Sequence, residues 1–235
     1  MVEITMKGLG KNALGTEMMV SLLEQLRVAN GAPVLLTGAG DAFSAGLNLK
    51  EVAGLDEPAM VAFLARLERL MSALYLYPGP TVAWVNGHAI AGGCVLTLCC
   101  DRRFVQDGPK LKLGLNEVAL GLRFPPRTLS IVRRRVPLEH HEEVLLGAGL
   151  YDPEGAVRVG LVDVVTKDAA AAARAELARL AALPRAAYAH TKGDLRGKVD
   201  ADLCPDDEWQ RRIAEMAPVW TSPAVKERVL AVLAR

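Results

Sequence analysis

The sequence predicts an α/β fold with a helical C-terminal region, on three observations. Short apolar runs closed by glycine, "VLLTG" and "TVAWVNG", read as buried strands. Each follows a segment whose apolar residues recur at intervals of three and four, the spacing of an amphipathic helix. From Asp168 the chain becomes rich in Ala, Leu and Arg, which favours helix. Alternation of strands and helices points to a sheet covered by helices.

Taken in order, "VEITM" (2–6) alternates as a strand does, and "TEMMVSLLEQLRVA" (16–29) has helical spacing and leads into "APVLLTG" (32–38). The unit then repeats. "DEPAMVAFLARLERLMSALYLY" (56–77) is the helix and "GPTVAWVNG" (79–87) the strand, so the two glycine-ended strands are expected side by side in one sheet. "RRFVQ" (102–106) and "KLKLG" (110–114) read as two further strands. Pro125 and Pro126 mark a change to mostly helical sequence, apart from "LVDVVT" (161–166). Breaks at Pro184, at 194–207 and at 221–225 divide the tail into three or four short helices. Residues 1–167 are thus expected to form the core and 168–235 a helical cap or oligomerisation region.

Apolar residues make up 51% and charged residues 23% of 235, the balance of a globular chain able to bury a core. The formal net charge of +1 gives no global attraction to nucleic acid or to an anionic membrane, so neither is an expected partner. The opening "MVEITMKGLGKNALG" lacks the apolar centre of a signal peptide, and no later apolar run is long enough to span a bilayer. A cytoplasmic location is expected. Cys94, Cys99, Cys100 and Cys204 show no paired C-x-x-C spacing and read as small buried hydrophobes. Leu145 stands four residues after His141, where a zinc-binding helix would carry its second histidine. Neither a metal nor a resident cofactor is expected.

Several motifs fail on inspection. Gly38-x-Gly40 begins like a dinucleotide loop, but Phe43 holds the third glycine position. Ser44 in "AFSAG" lacks the first glycine of a nucleophile elbow and reads as a turn residue. Arg133, Arg134 and Arg135 spread around a predicted helix, which describes a solvated or subunit-facing surface better than a phosphate site.

Two glycine turns remain, "AFSAGLNLKE" (42–51) and "NGHAIAGGC" (86–94). A helix start leaves backbone N–H groups unpaired and carries partial positive charge, and glycine lets a ligand approach the chain. Two such turns at the ends of neighbouring strands allow one N–H from each to meet at a single oxygen, the construction of an oxyanion hole. Tight strand–helix packing explains either turn alone.

In order and separation these turns resemble the two signatures of the crotonase (enoyl-CoA hydratase/isomerase) superfamily. The likeness runs from "KNALG" through "VLLTGAG", both turns and "GLNEVALGL" (114–122) to "GLVDVV" (160–165). It implies a crotonase-like spiral of ββα units, an acyl-CoA thioester as substrate with coenzyme A entering only as part of it, and a homotrimer or hexamer. It also implies that the first strand of the usual spiral is missing, since the chain starts almost directly in the strand that precedes "KNALG", and that the amides of Leu47 and Gly92 are the oxyanion donors.

Hydratases of the family carry one glutamate after the second glycine turn and another in a later segment. Here Val95 holds the first position and Glu117 the second. A single carboxylate beside an oxyanion hole suffices to shift a double bond, by taking a proton from C2 and returning it at C4. The run from "AGGCVLTLCC" to "GLNEVALGL" is most similar to the Δ3,Δ2-enoyl-CoA isomerases, which implies an isomerase with Glu117 as acid and base. Val95 and Leu96 are expected to form an apolar wall that raises the Glu117 pKa. Ala45 is expected at the substrate, Leu122 and Phe124 along the acyl chain, Lys50 at a CoA phosphate, and Trp220 or Lys226 over the nucleotide. Two rival readings stay open: a hydratase, thioesterase or other lyase using Glu51 or His88, and a non-catalytic scaffold or RNA-binding module using the arginine run.

Overall fold

A computed structural model describes residues 1–203 and 206–234, with side chains outside 198–207. Strand pairs are its repeating unit. The chain opens with β1 (Val2–Met6), the one-turn element α1 (Leu9–Asn12) and helix α2 (Thr16–Ala29). It continues through β2 (Val34–Gly38), β3 (Ala42–Ser44), α3 (Leu49–Gly54) and α4 (Glu57–Tyr75). The next unit is β4 (Thr81–Val85), β5 (His88–Ile90) and α5 (Gly92–Cys99), and the third is β6 (Arg102–Gln106), β7 (Leu113–Gly114) and α6 (Pro126–Arg135), followed by the short helices α7 (His141–Leu145) and α8 (Pro153–Arg158).

In each unit the first strand joins one sheet and the second joins another. The larger sheet has the order β1-β2-β4-β6-β9, where β9 is Val164–Thr166, and all its pairs are parallel. The smaller has the order β3-β5-β7-β8, with β8 (Leu150–Tyr151) antiparallel to β7. The two glycine-ended strands, β2 and β4, do lie side by side. This is an α/β spiral of ββα units.

Parallel strands buried on both faces read as unbroken apolar runs. Every residue of β2 is buried, because α2 and α4 pack on one side and α9 (Ala169–Ala181) covers the other. Leu35, Val82 and Phe104 meet Ala169, Ala173, Leu177 and Leu180 there. Cys94, Cys99 and Cys100 are buried and unpaired, as small hydrophobes would be, while Cys204 lies outside the described residues.

The tail folds back as α9, α10 (Arg185–Leu203), α11 (Asp206–Trp220) and α12 (Pro223–Leu233). Helix α10 runs on through the break expected from 194, despite Gly193 and Gly197. It is held by a buried ion cluster: Asp101 accepts Lys192 Nζ at 2.9 Å and Tyr188 Oη at 2.7 Å, and Arg196 Nη2 lies 2.9 Å from its other oxygen. The expected strand "KLKLG" shrinks to Leu113–Gly114, since its partner β5 has only three residues and pairs with it at two. Among the described residues no helix is long and apolar enough to cross a membrane.

Candidate active site

The ends of β3 and β5, the start of α5 and the segment after β7 enclose a cavity of about 710 Å³. Its wall includes Ala45, Leu47, Gly92, Val95, Glu117 and Leu122, with Lys50, exposed, on the same lining. A pocket of this size with few polar groups is typical of a small-molecule site.

Each glycine turn brings one backbone amide to this wall. Leu14 and Leu47 form a parallel bridge that uses the Gly46 carbonyl (2.7 Å from Leu14 N) and the Asn48 amide (3.0 Å from Leu14 O). That pattern leaves the Leu47 amide with no partner among the described residues. Gly92 is the first residue of α5, so its amide has no carbonyl in the preceding turn to bind. The two turns touch: a Cβ placed on Gly46 would lie 3.5 Å from Gly92 N, and one on Gly92 would lie 3.3 Å from Leu47 Cδ2.

Buried side chains hold the first turn. Asn12, inside a left-handed stretch in which Gly10, Lys11 and Asn12 all have positive φ, donates to the carbonyls of Ala39 (2.9 Å) and Ala42 (2.8 Å). Ser44 is a turn residue, as its sequence suggests; its Oγ donates to Asn12 O at 2.9 Å and accepts the Gly46 amide at 3.2 Å. Gly38, the first glycine of the rejected dinucleotide motif, gives its amide to Asn86 Oδ1.

Glu117 stands at the head of a short 3-10 turn (Val118–Leu120) whose Leu120 amide donates to its carbonyl. Its side chain is 6% exposed, and Oε2 has no hydrogen-bond partner among the described residues. Burial pushes its carboxyl up to about 8. Val95, 1% exposed, shares the wall, and Glu117 is the only acid on the lining among the described residues.

The other candidate acid–base groups are engaged elsewhere. Glu51 accepts the Thr16 amide at 3.0 Å, capping α2, and His88 Nδ1 accepts the Lys112 amide at 3.1 Å. Neither lines the cavity. The arginine run divides: Arg133 and Arg134 are exposed, but Arg135 turns inward and donates to the carbonyls of Leu98 (2.9 Å) and Cys100 (2.9 Å) at the end of α5. Arg196 adds a bond to Cys99 O at 3.3 Å.

Two residues expected along the cavity, Leu96 and Phe124, are not on its lining. Leu96 points away from the cavity, among Ile4, Leu22, Leu36 and Leu70, because a fully buried helix sends adjacent side chains about 100° apart. Phe124 packs against the hydrophobic core and is not on the lining. Trp220, 1% exposed, is part of the cavity wall, and Lys226 is off the lining. Contributions that the sequence left unnoticed come from Leu67 and Met71 of α4, from Thr128, and from Val232 and Leu233 at the end of α12. Thr128 is fixed by the buried Glu68, which accepts its amide at 2.8 Å and the Arg127 amide at 2.7 Å.

A family model described as enoyl-CoA hydratase/isomerase matches residues 1–216. The chain belongs to that family. It is 34% identical over 191 residues to mouse enoyl-CoA delta isomerase 1, mitochondrial, a match covering 80% of this chain and 65% of the mouse protein. It is likewise 34% identical over 191 residues to the probable enoyl-CoA hydratase EchA14 of Mycobacterium tuberculosis, covering 79% of this chain and 73% of that one. The fold superimposes on the crystal structure of human mitochondrial delta3-delta2-enoyl-CoA isomerase with a TM-score of 0.92 at 25% identity, over 99% of this chain and 92% of that one. The crotonase-like fold expected from the glycine turns is therefore the fold of this family member.

Proposed function

We propose that the protein is a Δ3,Δ2-enoyl-CoA isomerase. The thioester carbonyl of a 3-enoyl-CoA sits between the amides of Leu47 and Gly92, and Glu117 stands beside C2 and C4. Glu117, as carboxylate, takes the C2 proton, and the electron pair moves into an enolate held by the two amides. The enolate collapses with the double bond between C2 and C3, and the acid returns the proton at C4. No water takes part.

One observation carries the choice between isomerase and hydratase: Glu117 shares the lining with apolar Val95, and no second acid is found there among the described residues. A hydratase needs a second group to hold water, and Glu51 and His88 are committed to backbone amides away from the cavity. The relatives include hydratase names, so the hydratase remains the second reading. Incubation with 3-enoyl-CoA and, separately, 2-enoyl-CoA tests both. Double-bond migration without hydration is expected, and efficient hydration of 2-enoyl-CoA would overturn the assignment. The same reading takes the protein as a homotrimer or hexamer, with the tail as cap and subunit contact, working in cytoplasmic fatty-acid metabolism.

A further inference from the structure

Ala91, immediately before the second proposed oxyanion donor, has φ 49° and ψ −123°. That region suits glycine; an L residue occupies it under strain and stays only where its surroundings over-determine it. They do so here. The Ala91 amide donates to Gly114 O of β7 at 2.8 Å, and its carbonyl accepts the Val95 amide at 3.0 Å, so both sides of the residue are pinned. Glycine would take up the same backbone without strain, so the methyl group must serve some other purpose. It lies against the other turn: a Cβ on Gly46 would be 3.1 Å from Ala91 Cβ and 2.7 Å from Ile90 O.

We propose that Ala91 is a positioning residue, whose methyl group sets the spacing between the Gly46–Leu47 turn and the first amide of α5. The inference rests on the reading of Leu47 and Gly92 as a pair of donors to one oxygen. Two amides serve one oxygen only while their separation is fixed, and a shift of about 1 Å in such a group can cost up to about 10²-fold in rate. With the methyl removed, the turns can settle toward each other and the residue is freed from strain. The fold gains or holds stability while the pair loses its geometry.

The test is Ala91→Gly and Ala91→Ser in the full chain, with 3-enoyl-CoA turnover, thermal unfolding, and deuterium exchange at C2 of a saturated acyl-CoA in D2O. Ala91→Gly is expected to lower kcat about tenfold with KM within about threefold of wild type and no fall in Tm. Ala91→Ser, which keeps Cβ, is expected to recover most of the lost rate. A merely structural residue would instead lower Tm and leave kcat per folded enzyme unchanged. Exchange at C2 reports enolate formation whatever the product. If wild type exchanges C2 but does not isomerise, the isomerase reading fails, and the exchange rates of the variants still decide the role of Ala91. Equal rates for wild type and Ala91→Gly, in turnover or in exchange, overturn the proposal.

Discussion

A methyl group on Gly46 would lie 2.7 Å from the carbonyl oxygen of Ile90, well inside contact distance, so the turns after β3 and β5 leave no room for a side chain at Gly46 beside the Ile90 carbonyl and the Ala91 methyl. Gly46 also has φ +91°, a conformation that costs an L residue energy. Gly46→Ala is therefore expected to lose about 1–3 kcal/mol of stability and to push Leu47 away from Gly92. Urea unfolding and steady-state turnover measure the two effects, and wild-type values for both would show that the turns are free to separate.

Glu117→Gln removes the only acid on the described lining and keeps its shape. Isomerisation is expected to fall by roughly 10²- to 10⁴-fold with acyl-CoA binding retained. Turnover close to wild type would take Glu117 out of the mechanism.

The pH dependence follows from the same carboxyl. Its pKa in the fold is about 8, against an ordinary value of 4.5, because burial disfavours the charge. Only the carboxylate accepts a proton, so kcat/KM is expected to rise with pH through a midpoint near 8. Above 4.5 the unfolded chain has released this proton while the folded protein keeps it, so the folded state binds more protons and stability falls as pH rises toward 8. Glu117→Gln should therefore be more stable than wild type by a margin that grows from pH 5 to pH 8. Thermal melts that show a constant margin across that range contradict the raised pKa.

Val95→Glu places a second acid on the wall that Glu117 shares. It is expected to lose about 1–3 kcal/mol of stability, to lose part of the isomerase activity and to gain detectable hydration of 2-enoyl-CoA, far below that of a natural hydratase. The decisive comparison is hydration by wild type and variant on one substrate.

Lys192 is buried, and desolvation brings its ammonium down to about 8 even beside Asp101. Lys192→Met leaves Asp101 with Arg196 as its one remaining cation among the described residues, beside the Tyr188 hydroxyl and the Thr81 amide, and is expected to cost about 3 kcal/mol in urea unfolding at neutral pH. Asp101→Asn combined with Lys192→Met should lose less than the two single losses summed, since the two groups act as a pair. A strictly additive loss would show that they do not.

The long periodic elements were legible because their sequences carry a period: α2, α4, β2 and β4 appear where the apolar spacing puts them. The turns around Gly46 and Gly92 were legible because glycine marks backbone geometry directly. The direction of Leu96 is not legible, because α5 is buried along its whole length and no polar face shows which residues turn toward the cavity. Helix α10 outlasts its internal glycines because Lys192 and Arg196 tie it to Asp101, a contact 91 positions back in the chain that no local pattern records. Trp220 and Leu233 reach the site only because the tail folds back, and Asn12 organises the first turn from a left-handed conformation that neither Lys11 nor Asn12 announces.

Helix α5 is eight residues long, about 12 Å, and its two ends meet opposite kinds of group. At one end Gly92 lines the cavity; at the other, the guanidinium groups of Arg135 and Arg196 sit on the carbonyls of Leu98, Cys99 and Cys100. The negative pole of the helix is thus quenched by two cations, one from the core and one from the tail, and the positive pole is left to act on whatever enters at Gly92. The electrostatics of the proposed site therefore pass through the body of the protein to the far end of α5, where neither arginine lines the cavity.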